Sequence, residues 1–139
     1  MKVALMPNFT RESAYETTVK LCNALEKLNI SFSFLQEDSS FPDKFRDKVI
    51  CKDSLPENAD VLIAIGGDGT MIRAANIVLP YEIPVLGINA GNLAYLMDLE
   101  TDEMRLLNKL ITNQYYIEER MVLNVCIFNE KNEQILDEY

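Results

Sequence analysis

One stretch limits what this chain can fold into more than any other: Ala59 to Thr70, which reads A-D-V-L-I-A-I-G-G-D-G-T. Val61 to Ile65 form an unbroken apolar run, rich in β-branched residues and bounded by Asp60 and Gly66. A strand buried on both faces of a parallel sheet reads this way. The run stops at Gly66-Gly67-Asp68-Gly69-Thr70, and Met71 to Leu79 follows as a helical segment closed by Pro80. Strand, glycine-dense turn and helix in that order build phosphate sites. Three glycines in four positions permit positive φ and close approach of backbone to a ligand. Successive N–H groups can then line one concavity, to which the helix adds its unpaired N-terminal donors and positive dipole end.

Asp68 is the odd member of that turn, because a carboxylate beside phosphates is repelled unless it has a task. Two readings stand side by side. It meets a metal carried by a nucleotide or accepts a proton from a hydroxyl about to be phosphorylated; or it simply N-caps the helix. Two commoner motifs are excluded. The turn holds no lysine, which a P-loop requires, and Ile72 stands where the dinucleotide fingerprint needs a glycine.

Composition narrows the chemistry further. At 139 residues and 48% hydrophobic, the chain can bury a sizeable core. A formal charge of −9 argues against a nucleic-acid partner or an anionic membrane surface. Anionic ligands must therefore be held by local donors. With no histidine in the sequence, every Ser-His-Asp and Cys-His mechanism is removed, and a general base has to be a carboxylate, a lysine or a tyrosine. Cys22, Cys51 and Cys126 are widely separated, without a C-x-x-C pair. They read as small core residues of a reducing compartment, so a cytoplasmic location is expected. No apolar run approaches membrane-spanning length, and no signal-peptide pattern opens the chain.

Along the chain, Lys2 to Met6 reads as a short buried strand ended by Pro7-Asn8. Ser13-Ala14-Tyr15-Glu16 fits a capping box for an amphipathic helix to about Leu28, with Ala14, Leu21, Leu25 and Leu28 as its apolar stripe. Asn29 is the expected C-terminal cap, and Ser31 to Leu35 the next strand. Asp38-Ser39-Ser40 and Pro42-Asp43 read as loop, with a short strand at Val49-Ile50-Cys51. Ile83 to Ile88 is a further parallel strand, running into the glycine-bearing loop Asn89-Ala90-Gly91-Asn92-Leu93-Ala94-Tyr95-Leu96. In an open parallel sheet ligands sit beyond the carboxyl ends of the strands, so this loop and the first turn should face one crevice. Thr101-Asp102-Glu103 caps a helix to about Ile111. Tyr116 to Phe128 is a long extended segment, apolar on both faces, followed by a polar turn over Asn129 to Asn132 and a return strand from Glu133 to Tyr139. A lone hairpin is marginal in water. The last stretch therefore reads as the opening of a domain whose remainder is missing.

With these stretches in view, the chain resembles the NAD kinase family. Gly66-Gly67-Asp68-Gly69-Thr70 matches its glycine-aspartate motif, and Gly87 to Leu96 is similar to its second motif, G-I-N-x-G-x-L-G-F-L. Met6-Pro7-Asn8, and Glu119-Arg120 before Val122-Leu123, fit the same layout. Ala94 and Tyr95 depart from the usual glycine and phenylalanine. Diacylglycerol kinases and phosphofructokinases have turns similar to the first motif; the two motifs together are specific. The resemblance covers the family's N-terminal half. A C-terminal, mostly β domain with a ribose-gripping Asn-Glu/Asp motif would be expected beyond Tyr139.

The resemblance implies phosphorylation of the 2′-hydroxyl of the adenosine ribose of NAD, with ATP as donor and Mg²⁺ or another divalent cation. Asp68 would accept the hydroxyl proton. Gly66, Gly67, Asp68, Gly69 and Thr70 would line the nucleotide crevice, Arg73 would contact ligand one turn into the helix, and Tyr95 would pack against a nucleotide ring. Asn89 would shape its loop or touch the nucleotide. For Arg73 a solvated helix charge, and for Tyr95 plain core packing, are the competing readings. The expected architecture is an α/β, Rossmann-like open parallel sheet over 1–113, with 114–139 beginning a β-rich second domain. A homo-oligomer is expected from the open strand edges, and little activity from this chain alone. The rival functions are a lipid-type kinase sharing the turn and a non-catalytic nucleotide-binding or assembly module.

Overall fold

The structure is a computed structural model that describes residues 1–36, 41–123 and 125–131, and the backbone of 134–138. Asp38-Ser39-Ser40, Asn124, Asn132-Glu133 and Tyr139 lie outside the described residues. The N-terminal unit comprises β1 (Lys2–Pro7), α1 (Glu12–Lys27) and β2 (Ser31–Leu35). After a 3-10 segment at Asp43–Lys48 come β3 (Val49–Ile50), α2 (Leu55–Asn58), β4 (Val61–Gly66) and α3 (Asp68–Val78). They are followed by β5 (Val85–Asn89) and β6 (Leu99–Glu100), then by a 3-10 turn at Met104–Leu107 that runs into α4 (Asn108–Ile111). The first six strands form one parallel sheet in the order β3-β2-β1-β4-β5-β6. This is the doubly wound Rossmann order, in which strand direction of travel reverses between β1 and β4.

Residue alternation explains how the sheet is covered. On one face Val3, Leu5, Ile63, Ile65 and Ile88 pack against Ala14, Leu21 and Leu25 of α1 and against Leu107 and Leu110. On the other, Ala4, Met6, Leu62 and Ala64 pack against Leu55 of α2 and Ala74 and Val78 of α3. All of β4 is buried, as its unbroken apolar run predicts for a central strand. Full burial of one such Leu or Ile side chain stabilises by about 1.5–3 kcal/mol.

The ends of α1 illustrate one success and one correction. Asn29 adopts φ 54°, its N–H donates to the carbonyl of Glu26, and the Ile30 N–H donates to Leu25 at 2.9 Å. That is a Schellman cap, with Asn supplying the left-handed residue. At the other end the capping box does not form. α1 starts at Glu12, Arg11 is the N-cap without a side-chain cap bond, and the Ser13 hydroxyl instead donates to the Ala90 carbonyl at 2.6 Å. A tertiary acceptor outcompetes the local one.

The extended segment is also shorter than its pattern predicts. Within it the strand is β7 (Val125–Phe128), paired antiparallel with β8 (Gln134–Glu138). Tyr116 and Met121 are both 87% exposed, and Ile117, Leu123, Val125, Ile127 and Phe128 are exposed as well. Apolar alternation favours an extended backbone, but a strand also needs a partner ladder for its N–H and C=O groups. Among the described residues only Val125–Phe128 has one.

Candidate nucleotide crevice

The glycine turn is shaped by crowding rather than by left-handed backbone. No described glycine has positive φ, contrary to the expectation from composition. Gly67 is extended, with φ −134° and ψ −169°, and forms the N-cap of α3 without a side-chain cap bond. At Gly66 a Cβ would collide with the Thr70 hydroxyl and lie 2.9 Å from the Thr70 Cβ. Thr70 itself is buried, and its N–H donates to Gly67 at 2.9 Å. At Gly67 and Gly69 a Cβ would meet nothing within 4 Å. These two positions leave the approach to the α3 N-terminus open.

Asp68 is the first residue of α3, so the capping reading fails: the N-cap position belongs to Gly67. Its carboxylate turns to the second loop. Oδ1 accepts the N–H of Tyr95 at 3.0 Å and of Leu96 at 2.9 Å, and Oδ2 lies 3.2 Å from the Tyr95 nitrogen. The two glycine-bearing loops thus meet on one carboxylate, across 27 residues of sequence. The Ala90 N–H donates to Gly66 at 2.8 Å and ties them a second time. Oδ1 carries both short bonds, and Oδ2 takes only the longer share of the Tyr95 N–H.

The second loop is held from below by groups that no motif singled out. The Gly87 N–H donates to Asp98 Oδ2 at 2.7 Å, and a Cβ at Gly87 would lie 3.1 Å from the Met97 Cα. Asn89 is buried; its Nδ2 donates to both Glu100 oxygens at 3.0 and 3.1 Å, and its Oδ1 accepts the Gly91 N–H at 2.9 Å. Both ends of that amide are spent on loop shape. Asp98 and Glu100 follow an apolar stretch with alternate spacing, the only trace they leave in the sequence.

Around the α3 N-terminus the structure gathers Gly66, Gly67, Asp68, Gly69 and Thr70 with the backbone of Tyr95. The Tyr95 side chain is 82% exposed and Leu93 75%, so core packing does not account for the tyrosine. Arg73 lies one turn further along α3 and is exposed. Among the described residues no group of three or more His, Cys, Asp or Glu could hold a metal ion. Among the described residues no helix is long and apolar enough to cross a membrane. Of the three cysteines only Cys22 is buried; Cys51 and Cys126 are exposed, against the expectation that all three are core residues. Burial pushes the Cys22 thiol up to about 11, whereas the Ser54 side chain hydrogen-bonds to Cys51 and lowers its thiol.

Comparison with known proteins bears on this crevice directly. The family model described as ATP-NAD kinase N-terminal domain matches residues 3–116. An NAD kinase of Natranaerobius thermophilus is 33% identical over 132 residues, covering 94% of this chain and 46% of that protein. One of Coxiella burnetii is 31% identical over 135 residues, covering 97% and 44%, and one of Moorella thermoacetica is 34% identical over 128 residues, covering 88% and 39%. The chain therefore spans less than half the length of these relatives. Both glycine motifs and the Rossmann sheet that presents them fall inside the matched region, and the chain belongs to the ATP-NAD kinase family through its N-terminal domain.

Proposed function

We propose that this chain forms the phosphoryl-transfer crevice of an NAD kinase, which moves the ATP γ-phosphoryl group to the 2′-hydroxyl of the adenosine ribose of NAD. The observation that carries the reading is the Asp68 carboxylate, on which both glycine loops converge, with Oδ2 holding only the longer share of the Tyr95 N–H. In the reaction the ribose O2′–Pγ bond forms, the bond from Pγ to the β-phosphate oxygen breaks, and ADP leaves. Asp68 takes the hydroxyl proton, and its two amide contacts hold the carboxylate in place as it does so. Gly67 and Gly69 admit the nucleotide backbone, Gly66 and Thr70 set the turn, Arg73 offers positive charge along α3, and Tyr95 offers a ring face to a base. Asn89 acts through the loop it braces.

A divalent ion such as Mg²⁺ fits here as a companion of the triphosphate, not as a resident of a protein cage, since Asp68 is the carboxylate at the turn; when bound it would neutralise phosphate charge. Residues 1–113 are read as the nucleotide-binding domain and 114–139 as the start of a β-rich unit. The exposed apolar side chains from Tyr116 to Phe128 and the two-stranded hairpin support that division. Such a surface also favours a homo-oligomer, and turnover by this chain alone is expected to be low. The free thiols of Cys22 and Cys51 favour the cytoplasm.

The test is product identity. The protein is incubated with ATP, Mg²⁺ and either NAD⁺ or diacylglycerol, and products are resolved by chromatography and mass. NADP⁺ is expected. Phosphorylated lipid with NAD⁺ untouched would transfer the chain to the lipid-kinase reading.

A further inference from the structure

A crevice for polyphosphates needs positive charge, and the turn itself supplies none: Gly66 to Thr70 contains no lysine or arginine, in a chain of formal charge −9. A cation stands in the neighbouring loop after β1. Arg11 ends the loop after β1, and its Nη1 lies 3.4 Å from where a Cβ would stand on Gly91, in the loop after β5. In the sheet β4 lies between β1 and β5. The two loops therefore meet over the carboxyl end of β4, beside the strand-order reversal where doubly wound folds bind ligands. We propose that Arg11 is a phosphate-binding cation of this crevice, in addition to Arg73, contacting the polyphosphate chain of a nucleotide.

Three features support the assignment. Arg11 is exposed, and among the described residues its guanidinium makes no ion pair or side-chain hydrogen bond, so it is available to a ligand. Its backbone is fixed nonetheless. Phe9, two residues earlier, stacks on Phe45 at 5.9 Å with rings 14° apart and meets Phe41 edge-on at 5.2 Å. The Ser13 hydroxyl clamps the start of α1 to Ala90 at 2.6 Å. A planar guanidinium held this way can donate two parallel bonds to phosphate oxygens, a geometry that an ammonium group cannot reproduce.

The assignment rests on the crevice being a nucleotide site, and the experiment separates the two. Titration calorimetry measures ATP, inorganic tripolyphosphate, NAD⁺ and adenosine binding to the full chain and to its Arg11→Ala and Arg11→Lys variants. Arg11→Ala is expected to weaken at least one phosphate-bearing ligand about tenfold or more, with Arg11→Lys intermediate and adenosine unchanged. Loss for ATP and tripolyphosphate places Arg11 on the donor, whereas loss for NAD⁺ alone places it on the acceptor diphosphate. Equal affinities in all three proteins, or a loss that includes adenosine, would overturn the assignment. NADP⁺ formation with KM values unchanged in Arg11→Ala would leave the kinase reading standing and remove Arg11 from it. A wild-type chain that binds neither ATP nor NAD⁺ would overturn both.

Discussion

Cys22 and Cys51 show how far one residue type can be divided by its surroundings. Cys22 lies on the buried face of α1, and burial raises its thiol from 9.0 to about 11; Cys51 is exposed, with a thiol lowered by the Ser54 side chain. The thiolate is the nucleophile. Iodoacetamide at pH 8 should therefore label Cys51 well before Cys22, and Cys22 should react promptly only in denaturant. The raised thiol also makes a pH-linked contribution to stability, full below about pH 9 and lost as pH climbs towards 11. Peptide mapping of the alkylated protein checks the order. Asp68 marks the limit of reading at this scale. Its position in the turn was legible as chemistry, but whether its carboxylate caps the helix was not. The deciding partners, the Tyr95 and Leu96 amides, are tertiary contacts 27 and 28 residues away.

At the scale of elements, the glycine turn makes a paired prediction. Gly66→Ala drives a methyl group into Thr70, and such overpacking costs about 1–3 kcal/mol. Gly69→Ala meets no neighbour and gains up to about 1 kcal/mol of helix propensity. The first variant should melt earlier than the parent and the second no earlier, while both weaken nucleotide binding. Equal melting of the two would mean that the turn is less crowded than described. Asn29 offers a smaller check. Asn29→Ala places a Cβ-bearing residue without a compensating side-chain bond at φ 54° and should cost about 1 kcal/mol. Elements were legible wherever hydrophobic periodicity and punctuation agreed, as in β1, β2 and β4. Periodicity failed at Tyr116 to Phe128, where pairing partners decide the outcome, and at Ser13, whose hydroxyl serves another loop.

For the whole molecule, the strand order places everything that matters at one edge. The reversal between β1 and β4 brings the loops after β1, β4 and β5 together, and with them Arg11, Asp68 and the Tyr95 amide. A β-α-β reading of the sequence foresaw a parallel sheet and a shared crevice for the two motifs. It could not foresee that the loop after β1 would join them, because Arg11 carries no motif and its reach depends on which strands are neighbours. The braces Asp98 and Glu100 were hidden for the same reason.

The most direct measurement is single-turnover formation of NADP⁺ with the protein in excess over NAD⁺, in ATP and Mg²⁺, comparing wild type with Asp68→Asn. Working in excess detects chemistry even where turnover is slow. Expected is NADP⁺ from the wild type and a rate at least about a hundredfold lower from Asp68→Asn, the scale of losing a positioned general base. NADP⁺ formed equally fast by both proteins, or by neither, would contradict the role assigned to Asp68.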